Sequence, residues 1–136
     1  MYFLTFLTKS RRRFFLDEAL VHCCTTQILR AAARTRFEII AWCFMPDHVH
    51  LLVVGRTAGA DLRAFAKRAK QLTGYYAKKE LDLQIWGRRY YDRIVRENED
   101  PRRYLGYIRE NPIRARFPRE ASDFPFLFLA SSWRDL

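Results

Sequence analysis

Apolar and polar positions alternate along the chain in patterns that predict seven elements. Apolar stretches rich in β-branched and aromatic residues are typical of strands, whereas apolar residues spaced three or four apart indicate one face of a helix. The predicted strands cover residues 2–8, 37–44, 48–54 and 84–95, and the predicted helices cover residues 17–34, 61–80 and 101–110. The predicted order is therefore β-α-β-β-α-β-α.

Local signals indicate where several of these elements begin and end. Asp17 is predicted to cap the first helix, because its carboxylate can accept hydrogen bonds from the free N–H groups of the first turn. Residues 45–47 (MPD) separate two strands and predict a hairpin. Pro101 suits the first turn of the third helix. We expect Asn111-Pro112 to end or kink that helix, because the α conformation is disfavoured before a proline.

Two helical crossovers around a central hairpin predict the α+β class. The expected architecture is ferredoxin-like, an antiparallel sheet with helices packed on one face. Residues 1–136 are predicted to form a single domain, because the length suits one core and no Gly/Ser- or Pro-rich linker divides the chain. Residues 117–136 are rich in Phe and Pro, and we predict an irregular C-terminal tail there.

The charge of the chain points to its partner. The sequence has 25 Lys+Arg against 15 Asp+Glu, a net charge of +10, which favours nucleic acid first and an anionic membrane surface second. Basic residues interleave with aromatic residues, a combination typical of proteins that hold single strands. No apolar run reaches the roughly 20 residues that span a bilayer, and the N-terminus lacks the charged start of a signal peptide. We therefore expect no membrane partner and a cytoplasmic protein.

The cysteines do not predict a structural framework. Their number is odd and no CxxC pair occurs, so neither disulfides nor a zinc-thiolate site is indicated. Because free cysteine usually behaves as a small apolar residue, we expect Cys23, Cys24 and Cys43 to be buried and reduced.

His48 and His50 form the first candidate site. Alternate side chains of a strand share a face, so both imidazoles are predicted to point the same way and Val49 the other way. Two imidazoles side by side can hold one divalent ion. Unpaired imidazoles on this otherwise apolar strand would be costly. The alternative interpretation is a pair of hydrogen-bonded or surface histidines with no ligand.

Tyr107, on the third predicted helix, is the candidate nucleophile. A tyrosine is a weak nucleophile at its free pKa of about 10, but a metal that polarises a phosphate would help it attack. Asn111 is four residues further on and shares its helical face, so its amide oxygen is a candidate third metal ligand near the helix C-terminus, where the dipole favours a cation. Alternatively, Tyr107 is a core aromatic residue. Tyr104, one turn earlier, is the competing tyrosine.

Four segments resemble a known family. Residues 44–53 (FMPDHVHLLV) resemble the MP(N/D)HVHLL segment of single-tyrosine HUH transposases. Residues 107–113 (YIRENPI) resemble the YIxxNP(V/I) segment of their REP-associated branch, and residues 86–92 (WGRRYYD) are similar to a strand of that branch. Residues 131–133 (SSW) are similar to its tail with the order altered. Together these segments extend over nearly the whole chain.

The resemblance implies a metal-dependent nuclease and strand transferase that acts through a 5′-phosphotyrosine. It matches the metal histidines to His48 and His50, and the nucleophile to Tyr107. The third ligand of insertion-sequence relatives is a Gln at the position of Asn111, which keeps the carbonyl oxygen on a shorter arm. The implied metal is Mg²⁺ or Mn²⁺, and the implied partner is a hairpin-forming repeat in single-stranded DNA. The family implies a monomer or a homodimer, associated with the bacterial nucleoid.

Two alternatives remain at this point. A ferredoxin-like sheet with surface aromatics is also the architecture of a non-catalytic RNA-recognition module, although no RNP-type string occurs in a predicted strand. The other alternative is a different HUH endonuclease, a replication initiator or a relaxase. Most relaxases carry a third metal histidine, and the only other histidine here is His22, which is predicted to lie on the first helix.

Overall fold

The computed structural model describes residues 1–116 and 124–133, which form three α-helices and five strands. The strands are β1 (Tyr2–Thr8), β2 (Phe37–Met45), β3 (His48–Gly55), β4 (Trp86–Ile94) and β5 (Leu127–Leu129); the helices are α1 (Glu18–Thr35), α2 (Leu62–Leu81) and α3 (Pro101–Arg114). Short 3-10 turns lie at Lys9–Arg11, Phe14–Leu16 and Ser131–Trp133. The α+β class and the β-α-β-β-α-β-α order are confirmed, with β5 added after α3.

The described strands form one antiparallel sheet in the order β4-β1-β3-β2-β5. The prediction of an irregular tail over residues 117–136 is wrong for Leu127–Leu129, which pairs with β2. This short strand covers the backbone hydrogen-bonding groups of an edge that would otherwise be open. The rest of the predicted tail, residues 117–123 and 134–136, lies outside the described residues.

Helices cover the sheet on both faces. The two crossover helices pack over one face, as predicted, against a core that includes Phe6, Leu51 and Phe65. The prediction of helices on one face is wrong for α3, which packs Leu105 and Ile108 on the opposite face. The physical reason lies in the two central strands, which bury apolar side chains on both faces and therefore need cover on both.

An aspartate directly precedes and caps each of the three described helices. The carboxylates of Asp17, Asp61 and Asp100 accept hydrogen bonds from backbone N–H groups of the first turns of α1, α2 and α3. Arg36 and Asp82 adopt left-handed backbone conformations where α1 and α2 end. None of the helices in the described part of the chain combines the length and apolar character needed to cross a bilayer.

The third helix continues through Asn111-Pro112, so of the two predicted outcomes, an end or a kink, the end is wrong. The helix runs to Arg114 with Pro112 inside it. An interior proline loses the hydrogen bond that its own N–H would have donated, and its ring crowds the carbonyl four residues earlier. Burial of Asn111 and Pro112, together with the bond from Ala115 N–H to the carbonyl of Asn111, holds the following turn in place. The added turn brings Arg114 onto the side of the helix that carries Tyr107.

The cysteines are free thiols. Cys24 and Cys43 are buried, as predicted, and burial raises the pKa of the Cys43 thiol to about 12. Cys23 is only partly buried, so the prediction of burial is wrong for this residue, which lies at the border of the buried stripe of α1.

Candidate active site

The two histidines lie side by side on the sheet face that α3 covers. Their ring centroids are 4.7 Å apart and the rings are nearly perpendicular, at 72°. Val49 and Leu51 enter the core on the opposite face, which confirms the predicted alternation along β3. Only 6% of His50 is exposed. The strand therefore presents an imidazole pair next to α3, with His50 buried and His48 partly buried.

Asp47 holds His48. The Nδ1 of His48 lies 2.7 Å from a carboxylate oxygen of Asp47, whose other oxygen accepts from Arg11 at 2.9 Å. Burial alone would raise the pKa of Asp47, but the hydrogen bonds from His48 and Arg11 outweigh it and lower that pKa. Because an ionised carboxylate only accepts hydrogen bonds, Nδ1 of His48 donates to Asp47, and Nε2 is the ring nitrogen left for a ligand.

Thr5 and Phe3, on β1, hold His50. The Oγ1 of Thr5 lies 2.9 Å from Nδ1 of His50, its partner across the β1–β3 pair. The Phe3 ring stacks on the imidazole with centroids 5.2 Å apart. Burial, aided by the charges of His48 and Arg114, lowers the pKa of His50 to about 3, so the ring is neutral at pH 7. With Nδ1 engaged by Thr5, Nε2 is again the nitrogen that can bind a ligand.

Tyr107 extends from α3 to the histidine pair. Its ring meets His50 edge-on, with centroids 5.4 Å apart, and 42% of the tyrosine is exposed. The guanidinium of Arg114 lies over the ring at 4.3 Å and also donates to the carbonyl oxygen of Tyr107. The structure thus brings together residues 57 positions apart in the sequence, His50 and Tyr107 (107 minus 50).

Asn111 lies one turn after Tyr107 and is buried, 9% exposed. Tyr107, Asn111 and Arg114 are spaced four and three residues apart, so they share one side of α3. Over residues 1–116 and 124–133, no group of three or more His, Cys, Asp or Glu side chains could hold a metal ion. His22 lies on α1, across the sheet. Among these described residues, a third ligand for this site would therefore be of another type, as Asn111 is.

Tyr104 is held differently from Tyr107. Its hydroxyl donates to a carboxylate oxygen of Glu99 at 2.5 Å, and this hydrogen bond raises the pKa of Tyr104. A phenol whose proton is held by a carboxylate is harder to ionise and is a poorer nucleophile. The side chain packs instead against Phe3, with centroids 5.5 Å apart.

Four contributors to the site were missed by sequence reasoning: Phe3, Thr5, Asp47 and Arg114. Asp47 had a visible signal, because a carboxylate directly precedes the histidine pair. Thr5 and Phe3 meet His50 only through the β1–β3 register, and Arg114 reaches Tyr107 only because the helix continues past Pro112. No local pattern in the sequence indicates these contacts.

Relatives of this chain bear out the family resemblance. The family described as "Transposase IS200 like" matches residues 1–111. A candidate REP-associated tyrosine transposase of Haemophilus influenzae is 23% identical over 138 residues, covering 93% of this chain and 77% of that protein. The REP-associated tyrosine transposase of Escherichia coli is 26% identical over 99 residues, covering 73% of this chain and 58% of that protein.

A solved structure supports the same assignment at the level of the fold. The structure of a REP-associated tyrosine transposase bound to a REP hairpin matches with a TM-score of 0.75 and 24% identity, covering 93% of this chain and 74% of that chain. The family match extends over most of the sequence and contains His48, His50, Tyr107 and Asn111. The chain therefore belongs to the IS200-like transposase family, and it is an enzyme of the transposase kind.

Proposed function

We propose that the protein cleaves and rejoins single-stranded DNA through a 5′-phosphotyrosine on Tyr107, with a divalent ion held by His48 and His50. The observation that carries this proposal is the contact between the rings of Tyr107 and His50, beside a second histidine at 4.7 Å. Hydrogen bonds engage both Nδ1 atoms, so the Nε2 atoms are the ones we propose for a shared ligand.

The donor set fits a divalent ion such as Mn²⁺ or Mg²⁺. The carboxylate of Asp47 and the hydroxyl of Thr5 are the kind of outer partners that fix the tautomer and orientation of ligating histidines. The low pKa of His50 keeps that ring neutral, the form that binds a metal. We propose the amide oxygen of Asn111 as third ligand, since carbonyl oxygen suits Mg²⁺ and Mn²⁺. When bound, the ion supplies positive charge to a non-bridging phosphate oxygen.

Tyr107 performs the covalent step. Its phenolic oxygen forms a bond to phosphorus while the bond from phosphorus to the 3′ oxygen breaks. The phenolic proton passes to solvent, and the departing 3′ oxygen takes up a proton to become a free hydroxyl. A 3′ hydroxyl then attacks the phosphotyrosine and regenerates the phenol, so the bond energy is retained. Arg114, whose guanidinium covers the tyrosine ring, stabilises the phenolate that develops.

We propose a hairpin-forming repeat in single-stranded DNA as the substrate. The net charge of +10 favours a polyanion, and exposed aromatic residues such as Tyr75 and Tyr91 suit the stacking of unpaired bases. A relative of the same fold was solved with a REP hairpin bound. The protein acts as a monomer or as a homodimer in this proposal.

Covalent trapping tests the reaction. The protein is incubated with a library of single-stranded hairpin oligonucleotides, labelled at the 5′ or the 3′ end, with and without Mn²⁺. Denaturing gels separate any adduct and mass spectrometry maps it. We expect an adduct that requires Mn²⁺, is attached to Tyr107 and retains the 3′ label.

Two phenylalanine variants make the test specific. Tyr107→Phe is expected to abolish the adduct and to keep hairpin binding, whereas Tyr104→Phe is the matched control and is expected to keep the adduct. An adduct on Tyr104 would reassign the nucleophile. Tight hairpin binding with no adduct in any variant would instead support the non-catalytic binding module.

A further inference from the structure

We propose that a pocket beside Tyr107 holds one unstacked base of the single-stranded substrate, and that guanine is the base it fits. The pocket has this role only if the protein binds single-stranded DNA, and in that respect it rests on the proposed function. The covalent step itself uses Tyr107 and the histidine pair. The pocket would add the selection of one nucleotide next to the reacting phosphate.

The pocket is a cavity of about 300 Å³ between β1, β4 and the start of α3. Its lining residues are Phe3, Arg93, Glu99, Arg103, Tyr104 and Tyr107. Small-molecule sites begin at roughly 300 Å³, so the space suits one flat base better than a whole dinucleotide. Because Tyr107 lines both this pocket and the candidate active site, a base seated here would belong to a nucleotide adjacent to the phosphate that Tyr107 attacks.

Three aromatic rings form the apolar walls. Phe3 lies 5.5 Å from Tyr104 and 5.9 Å from Tyr107 between ring centroids, with the rings tilted by 44° and 83°. Rings set at such angles enclose a space instead of stacking flat on one another. Aromatic side chains are the usual platforms for unstacked bases, because every base has an apolar face.

Glu99 supplies the polar recognition. Its side chain is only 16% exposed. The hydrogen bond that Tyr104 donates is the largest of the interactions that lower the pKa of Glu99, and the carboxylate therefore stays ionised. A carboxylate repels the phosphates of DNA, so its position in this pocket suits a group that donates hydrogen bonds. The pairing edge of guanine presents two adjacent N–H donors, whereas thymine presents one donor between two carbonyl oxygens that a carboxylate would repel.

Arg93 and Arg103 complete the charge pattern. The guanidinium of Arg93 lies 3.5 Å from the Glu99 carboxylate and 5.7 Å from the centre of the Tyr104 ring. Two cations at the pocket offset the charge of Glu99 and provide contacts for the phosphates on either side of the seated base. A nucleotide can thus place its base against the aromatic rings while its backbone stays at the basic rim.

Binding measurements on a cleavage-deficient protein test this site. In the Tyr107→Phe background, which keeps the aromatic ring, fluorescence anisotropy measures the affinity for short oligo-dT strands that carry G, A, C or T at one central position. We expect the guanine strand to bind about tenfold more tightly than the thymine strand, the discrimination typical of a two-bond base contact.

Glu99→Gln in that background is expected to reduce the guanine-to-thymine affinity ratio to about one, because an amide offers one acceptor in place of two. Glu97→Gln is the matched control, since it removes the same charge two residues away on an exposed side chain, and should keep the full ratio. Tyr104→Phe is a second variant. It keeps the charge of Glu99 but removes the hydrogen bond that holds the carboxylate in place, so it should lower the guanine-to-thymine affinity ratio in part.

Two results would overturn the proposal: equal affinity for the guanine and thymine strands, or a guanine preference that survives Glu99→Gln. Neither depends on catalysis, because the measurement is made without cleavage. Failure of Tyr107 to form an adduct in the otherwise unaltered protein would reject the proposed reaction and would leave these affinity ratios unaffected. The two proposals therefore fail in distinguishable ways.

Discussion

On the face of the sheet covered by α1 and α2, β3 contributes Val49, Leu51 and Val53 to a continuous apolar core. On the face covered by α3, the same strand contributes His48 and His50, and a smaller apolar cluster occupies the rest of that face. Neighbouring residues of one strand thus have different roles. One face stabilises the fold by burying apolar surface, and the other uses that stability to hold polar groups where they are costly to bury.

The apolar face fixes the strands that position the imidazole pair of the other face. Desolvating His50 is unfavourable, and it is offset by the hydrogen bond with Thr5 and by stacking on Phe3. Each of these partners comes from β1, whose alternate residues Leu4 and Phe6 are fixed in the core on the other face. The larger core therefore determines the geometry of the candidate site through the shared strands.

Of the substitutions in the sheet, that of His50 should give the largest functional effect and a small structural one. We expect His50→Ala to reduce metal-dependent cleavage by about three orders of magnitude, the several kcal/mol that a bound metal contributes. The loss of cleavage is measured as adduct formation against Mn²⁺ concentration, and the accompanying loss of Mn²⁺ affinity is measured by calorimetry. Unchanged Mn²⁺ affinity in this variant would remove the metal site from the proposed function.

Substitution of the adjacent Leu51 should give the opposite pattern. Leu51 is fully buried, and Leu51→Ala is expected to lower the free energy of unfolding by about 2–5 kcal/mol, from lost burial and the cavity left behind. Urea unfolding measures the loss. Below its unfolding transition the variant should form the adduct at the normal rate. If Leu51→Ala were as stable as the unaltered protein, the apolar face would not be the one that stabilises the fold.

The hydrogen bond between Thr5 and His50 tests the outer partners of the site. Thr5→Val keeps the shape of the side chain but removes the hydroxyl, and we expect Mn²⁺ affinity to fall about 10–100-fold. Thr5→Ser keeps the hydroxyl and serves as the control, with affinity near that of the original protein. Calorimetric titration without DNA measures both. Equal affinities for the Val and Ser variants would show that Thr5 does not orient the imidazole.

Arg114 should give the smallest effect. Arg114→Gln removes the cation over the Tyr107 ring, and we expect the rate of adduct formation to fall roughly two- to fivefold, as a loss of about 0.5–1 kcal/mol implies. Arg116→Gln removes the same charge two residues further on and controls for weaker DNA binding. Single-turnover rates at saturating DNA distinguish a slower reaction from weaker DNA binding. Equal rates in both variants would show that Arg114 does not assist Tyr107.

The sequence alone predicted the elements and the candidate site residues. Periodicity located seven elements nearly at their observed bounds, and the alternation of β3 placed both histidines on one face, because these are short-range consequences of backbone geometry. The cap at Asp17 and the first-turn position of Pro101 followed from the residues themselves. The family followed from the segments around His50 and Tyr107.

Only the tertiary structure decided which groups meet. The pairing of Thr5 with His50 depends on the register of strands that are far apart in sequence, and the register is set by packing on the opposite face. The position of α3 on its own side of the sheet, and its continuation past Pro112 to Arg114, depended on burial that outweighs the local preference of the residue before a proline. Local patterns carry the periodicity of an element, whereas long-range packing chooses its partners.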